Sequence, residues 1–348
     1  MDLRLTSEQG QLVDAIGGLY AKHCSTDHVR AAEATGHDPE LWERLADLGL
    51  LPMAVGEAAG GWGASFLDLA LAAEQQGRYV APVPVIEAQV AARVLAVSGE
   101  AAGGALADAV TGDRLITFAP RAARDGVAGL VPAGAVADAA VVLAGDRLLL
   151  VALDGRRSRV ENLASMPLAD VEIPTTATVL AEGPAALAAH DHAVDEWMAL
   201  TAAALVGIAA RALEIGVDYV KERKAWGVPI GSFQAISHRL ADSAAAIDGA
   251  RLLAYEAAWA RDERTPRAAE LAAMAFAFAY ETARDITYRS LHFHGGYGFM
   301  MEYDIQLYYR RARGWANVYA EPARAYDRVA DRRYGPVAST GPETPGAR

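Results

Sequence analysis

Apolar residues recur at helical spacing through most of the chain and give way to short apolar runs only in its middle. Leu12, Ile16 and Leu19 predict a first helix, with Thr6 or Ser7 able to cap it. Leu41, Leu45 and Leu48 form a second stripe, which Gly49 ends. Gly60-Gly61-Trp62-Gly63 breaks the period and reads as a turn, and Ser65 can cap the helix carrying Leu67, Leu71 and Glu74. From about Thr111 to Thr178 the texture changes to runs such as Leu115-Ile116, Ala140-Val141-Val142-Leu143 and Leu148-Leu149-Leu150-Val151. Gly145-Asp146 separates two of them and predicts a hairpin, within about six short strands. Helical patterning resumes near Pro184, where Trp197, Leu200, Ala204 and Ile208 share one face, and continues to about Arg333. The expected plan is a helical domain over 1–110, a shortened β domain over 111–183 and a helical domain over 184–335. The Pro-, Gly-, Ser- and Thr-rich tail over 336–348 is expected to be disordered.

Composition sharpens this picture in three ways. The 348 residues suffice for two or three packed domains, and Ala supplies much of the hydrophobic 53%, with 32 Gly besides, which favours close-packed helices. A net charge of -12 argues against a nucleic-acid surface or an anionic membrane as the main partner. A polyanionic ligand would therefore need a locally basic site. The lone Cys24 excludes an internal disulfide and any multi-cysteine metal site. The start Met1-Asp2-Leu3-Arg4-Leu5-Thr6 lacks the features of a signal peptide, and no uninterrupted apolar run reaches the roughly 20 residues of a membrane span. The expectation is a soluble, cytoplasmic protein.

Two segments carry chemistry. In Arg223-Lys224-Ala225-Trp226-Gly227-Val228-Pro229-Ile230-Gly231-Ser232-Phe233-Gln234, a helix ends near Arg223, a loop follows, and Ser232 is placed to cap the next helix. Arginine pairs bidentately with phosphate, Trp226 offers a stacking face, and a helix N-terminus favours anions. The same corner could instead use Trp226 and Phe233 to plug the core. The second segment, His292-Phe293-His294-Gly295-Gly296-Tyr297-Gly298-Phe299, removes side chains at Gly295 and Gly296, where a ligand or another backbone can come close. Its two histidines have no carboxylate or cysteine at metal-ligand spacing, so no metal is expected.

Taken together, in this order and about sixty residues apart, the two segments resemble the C-terminal domain of the acyl-CoA dehydrogenase family. That family has an Arg, an aromatic-Gly-x-Pro-Ile turn, Phe-Gln, and later His-Gly-Gly-x-Gly-Phe. Upstream, Leu41-Trp42-Glu43-Arg44-Leu45-Ala46-Asp47-Leu48-Gly49-Leu50 and the Gly60-Gly61-Trp62-Gly63 turn are similar to its N-terminal domain. The resemblance implies a mainly α fold with a small β domain, in which an N-terminal helical domain and a middle β domain precede a C-terminal four-helix bundle. It also implies FAD bound between the subunits of a homo- or hetero-tetramer. Arg223 would then contact the FAD diphosphate of a neighbouring subunit, Phe233 and Gln234 would lie by its adenosine end, Trp226 would keep a stacking face, and Gly295 and Gly296 would give the diphosphate close backbone access. His292 stands where many members have Gln, and Trp226 where Phe is commoner.

The resemblance also implies α,β-desaturation of an acyl-CoA, with a carboxylate removing the α proton, hydride passing to flavin N5, and electron-transfer flavoprotein as acceptor. Here the stretch that carries the base in many members is Arg310-Arg311-Ala312-Arg313-Gly314-Trp315-Ala316-Asn317-Val318-Tyr319-Ala320-Glu321. An ungapped match puts Tyr319 at the base position and Glu321 two residues on. Glu321 resembles the acid of a branch that includes actinobacterial enzymes acting on bulky acyl-CoAs. Glu196, one residue from the position other members use on the first bundle helix, is the alternative base, with Asp195 beside it. Leu115-Ile116-Thr117-Phe118-Ala119-Pro120-Arg121-Ala122 lacks the acid and the Gly-Ser pair with which the family supports the flavin ring. The resulting expectation is an acyl-CoA dehydrogenase subunit paired with a second, more typical one. A non-catalytic scaffold subunit and a flavin oxidase are the alternatives.

Overall fold

Helix signals near the N-terminus act as local chemistry dictates. In the computed structural model, which describes residues 4–153 and 158–335, Thr6 caps α1 (Ser7–His23) in a capping box with Gln9. The short α2 (Thr26–Ala31) follows. Asp38 caps α3 (Pro39–Asp47), and Gly49 adopts a left-handed φ of 85° just beyond its end. A side chain at Gly49 would collide with the Trp62 ring, so the helix stop and the Gly60–Gly63 turn interlock. Ser65 forms a second capping box at α4 (Phe66–Arg78), and α5 (Val85–Ser98) and α6 (Ala105–Thr111) complete this layer.

The central stretch forms six strands: β1 (Ile116–Phe118), β2 (Val127–Val131), β3 (Ala139–Ala144), β4 (Arg147–Ala152), β5 (Ala169–Glu172) and β6 (Thr178–Glu182). One sheet has the order β1-β3-β4-β6, and β2 pairs antiparallel with β5 beside it. The Gly145-Asp146 hairpin joins β3 and β4 in the register Ala144 to Arg147. β3 is buried along almost its whole length, so its apolar run does not alternate.

α7 (Gly183–Glu222) is the axis of the molecule. It packs most extensively against α9 (Ala268–Phe293) and α4, with Trp197 against Phe276 at 5.6 Å between ring centroids. α7 is long and apolar enough to span a membrane, but 67% of its most apolar window is buried by the rest of the protein. At its end the chain makes a small hairpin, β7 (Lys224–Ala225) and β8 (Val228–Pro229), before α8 (Gln234–Asp262). α10 (Ile305–Ala316) and α11 (Arg324–Tyr334) finish the helical region. The fold is thus an N-terminal helical domain, a middle β domain and a C-terminal four-helix bundle. The tail expected to be disordered from Pro336 lies outside the described residues.

Candidate functional site

Two stretches far apart in sequence meet at one end of the bundle. One turn before Arg223, Tyr219 stacks on His294 with centroids 3.9 Å apart. Nearby, a Cβ at Gly216 would stand 2.6 Å from the Ser290 hydroxyl, so α7 and α9 approach closely there. These contacts place the Arg223–Gln234 corner and the Gly295-Gly296 pair at the same end of α7 and α9. The Arg223 carbonyl accepts from the Ile230 N–H at 2.8 Å, which closes the hairpin base. Its guanidinium is exposed and has no hydrogen bond or ion pair among the described residues.

At the hairpin tip, Trp226 and Gly227 both have positive φ, 51° and 83°. Two left-handed residues make the tight turn whose twist suits a hairpin. For Trp226 this conformation costs on the order of 1 kcal/mol. Trp226 is 92% exposed, so it does not plug the core, and touches Phe233 edge-on at 5.9 Å. One expected detail is corrected: Ser232 does not cap α8. Its hydroxyl donates to the Pro229 carbonyl at 2.7 Å, Phe233 occupies the cap position without a side-chain bond, and Gln234 is the exposed first residue of the helix. The first-turn N–H groups of α8 therefore receive no side-chain cap from this chain.

The paired glycines contrast with their neighbour Gly298. A Cβ on Gly298 would meet the Leu291 carbonyl at 2.3 Å, whereas one on Gly295 or Gly296 would meet nothing within 4 Å. Internal packing thus requires glycine at 298 and leaves the space over 295 and 296 open. Exposed His292 stacks on Tyr288 at 6.0 Å. Arg30 anchors the loop that follows, donating to the Met301 carbonyl and pairing with Asp304 at 2.6 Å.

The two candidate bases lie apart. Glu321 is exposed on the wall of an open cleft of about 840 Å³ between the β domain and the bundle, with Arg121, His190, Asp191, Tyr319 and Arg328 among its lining. Pro120-Arg121-Ala122 and Tyr319-Ala320-Glu321 therefore face one space. Arg121 closes part of it by donating to the carbonyls of Tyr319 at 2.7 Å and Asn317 at 3.1 Å. Glu196 is 3% exposed and borders a separate cavity of about 200 Å³ near Phe66 and Thr265. Arg93 grips both its oxygens at 2.8 and 2.9 Å, and Arg261 donates to one of them at 2.6 Å. Burial opposes its charge, but the two guanidiniums prevail and hold its carboxyl below the usual range. Asp195, one residue and about 100° around the helix, instead pairs with Arg328 and Arg332 of α11. Arg93, Arg261 and Arg328 drew no attention in sequence, because lone arginines spread over three helices form no motif.

The acyl-CoA dehydrogenase N-terminal domain family matches residues 6–102, and the acyl-CoA dehydrogenase C-terminal domain family matches residues 195–316. Acyl-CoA dehydrogenase IpdE2 of Mycobacterium tuberculosis is 30% identical over 92% of this chain and 96% of its own length. This chain belongs to the acyl-CoA dehydrogenase family. Among solved structures, the ChsE4-ChsE5 complex from Mycobacterium tuberculosis contains a chain similar at TM-score 0.87 and 25% identity, covering 97% of this chain and 100% of that one. The Tcur3481-Tcur3483 steroid ACAD G363A variant is similar at TM-score 0.84 and 28% identity, with 94% and 97% covered.

The acyl-CoA dehydrogenases are FAD-dependent oxidoreductases, and the two ends of an FAD fare differently against the residues present. The bundle end offers an unpaired guanidinium, an exposed indole, an uncapped helix start and two glycines with open space above them, which suit a diphosphate and adenosine. In the cleft, the Pro120-Arg121-Ala122 segment has neither acid nor hydroxyl to offer a flavin ring, and Arg121 is committed to two carbonyls.

Proposed function

We propose that this chain is one subunit of an FAD-dependent acyl-CoA dehydrogenase that α,β-desaturates a CoA thioester, working in a heteromer with a second, more typical member of the family. The observation that carries this reading is the contrast between the open, unpartnered surface around Arg223, Gly295 and Gly296 and a cleft already tied by Arg121. In this reading Arg223 and the backbone at Gly295 and Gly296 hold the diphosphate, while Trp226, Phe233, Gln234 and His292 border the adenosine. Bound flavin supplies the acceptor for the β hydrogen, and electron-transfer flavoprotein is the proposed onward acceptor. Of the two carboxylates, Glu321 is the better base, because it is exposed on the cleft wall and free of an ion pair among the described residues. Glu196 is held ionised by two arginines, which lowers its basicity and occupies both oxygens.

A second reading, a non-catalytic subunit that completes the partner's FAD site, is supported by the same pairing of Glu196 and by the position of Glu321 two residues beyond the usual base. Co-purification with the product of the adjacent gene separates them. The dehydrogenase reading expects the isolated chain to hold little flavin, by its visible absorbance, and the pair to hold it fully. It also expects Glu321→Gln to abolish turnover of the pair with FAD retained. Unchanged turnover in both Glu321→Gln and Glu196→Gln would establish the non-catalytic subunit. Full flavin content and turnover in the isolated chain would overturn the heteromer. Anaerobic reduction by a CoA thioester followed by fast peroxide formation in air would identify an oxidase instead.

A further inference from the structure

Away from both sites, the loop after α2, the start of α5, the β domain and α10 border a narrow, open-sided slot lined by Gly36, Pro84, Glu87, Ala133, Met166 and Arg311. It leaves about 20 Å³ free, enough for one water-sized particle. Arg311 is only 7% exposed, yet its guanidinium has neither an ion pair nor a hydrogen bond among the described residues. Its one ring contact is with Trp315, 5.8 Å from the centroid. A guanidinium so little exposed to water and without a bonded counter-charge is disfavoured.

The surroundings add positive charge. Arg310 and Arg159 both disfavour the charge of Arg311, and Glu33 favours it. The Glu33 carboxylate is taken by Arg310 at 2.8 Å. Arg159 donates to the carbonyls of Glu33, Ala34 and Met166. Among the described residues, the three guanidiniums thus have one carboxylate bonded among them, and a second, Glu87, stands across the slot. Glu87, on the facing wall, accepts from the Trp197 indole N–H at 3.2 Å; burial pushes its carboxyl upward, towards the neutral form, and outweighs the charge of Arg311, which favours the ionised form. Burial pushes Arg311 down to about 10, so it remains charged at neutral pH.

We propose that this slot binds a small monovalent anion of chloride size, held by the Arg311 guanidinium and supplying the negative charge that the arginine cluster lacks. The anion sits where α10 meets the β domain and the N-terminal helices, so it joins all three. This site does not depend on the flavin or on the reaction.

Crystals of the full chain soaked in bromide test it directly: an anomalous peak is expected in the slot, within hydrogen-bond distance of Arg311. In parallel, chloride replaces gluconate, which is too large for the slot, at constant ionic strength. The melting temperature of the wild type should rise by a few degrees and saturate. Arg311→Met, which keeps the stem and removes the charge, should lose that rise. Should this variant fail to fold, the bromide peak and the wild-type titration decide. Water density alone in the slot, a peak without a halide-dependent melting temperature, or a rise that Arg311→Met retains would each overturn the site.

Discussion

The two ends of α7 place charged residues in opposite circumstances. Near its start, Asp191, Asp195 and Glu196 face Arg93, Arg261, Arg328 and Arg332 across the interior, and each carboxylate has a partner from a different helix. At its far end, Arg223 stands in solvent with no partner among the described residues, beside an exposed tryptophan held in a disfavoured backbone conformation. Charges answered within the chain hold the fold together, whereas Arg223 is left free for the diphosphate that the proposed function assigns to it.

The largest effect that tests this contrast lies at Glu196. Replacement by Gln leaves two arginines facing a neutral amide in a largely buried place, and should cost about 3 kcal/mol in denaturant unfolding. Intact stability with lost turnover in the complex would make Glu196 the base and dissolve the contrast. Next comes Gly207→Ala, whose Cβ would stand 2.0 Å from the Glu74 carbonyl where α7 crosses α4, and which should cost roughly 1–3 kcal/mol. Arg223→Ala should leave thermal unfolding of the isolated chain within about 0.5 kcal/mol. In the complex it should weaken FAD retention on the order of ten- to a hundredfold, as loss of a charge-assisted bond does. Comparable damage to the isolated chain would mean that the corner is structural. Gly296→Ala belongs to the same pair of measurements, with an unaltered fold and a smaller loss of flavin expected.

The smallest effect is a pH dependence at the paired end. Burial lowers the pKa of His190, whose Nε2 lies 3.1 Å from the Ala119 carbonyl, from 6.5. The unfolded chain then binds the proton more readily than the folded one. The stability His190 contributes is therefore complete above pH 6.5 and is lost as pH falls through the lower folded value. His190→Gln should flatten the acid side of the stability profile by at most about 1.4 kcal/mol per pH unit, read from urea midpoints. An unchanged slope would show that other buried groups dominate.

Much of the architecture was legible because local rules act alone: Thr6 and Ser65 cap helices, Gly49 ends one, and Gly145-Asp146 turns a hairpin. Ser232 misled because a hydroxyl before a helix can also serve the preceding turn, and the hairpin at Lys224–Pro229 had already fixed that backbone. At the candidate site, the sequence marked the residues that lack internal partners, since motifs of Gly, Trp and Arg interrupt helical periodicity. It could not rank Glu196 against Glu321, because the arginines that decide the environment of Glu196 come from residues 93 and 261. Long-range ion pairing leaves no periodic trace.

The crossing of α4 and α7 has a mechanical consequence. Gly77 lies so close to Ala204 that a Cβ would be 1.8 Å from its carbonyl, and Gly207 meets Glu74 in the same way. Two backbones in direct apposition have no flexible side chains between them to absorb sliding, and Arg78 locks the next turn to Glu214 at 2.8 Å through both oxygens. The N-terminal helices and the bundle must therefore travel as one rigid block. Any relative movement falls to the seam along the β domain, where the block is fastened by side chains such as Arg121.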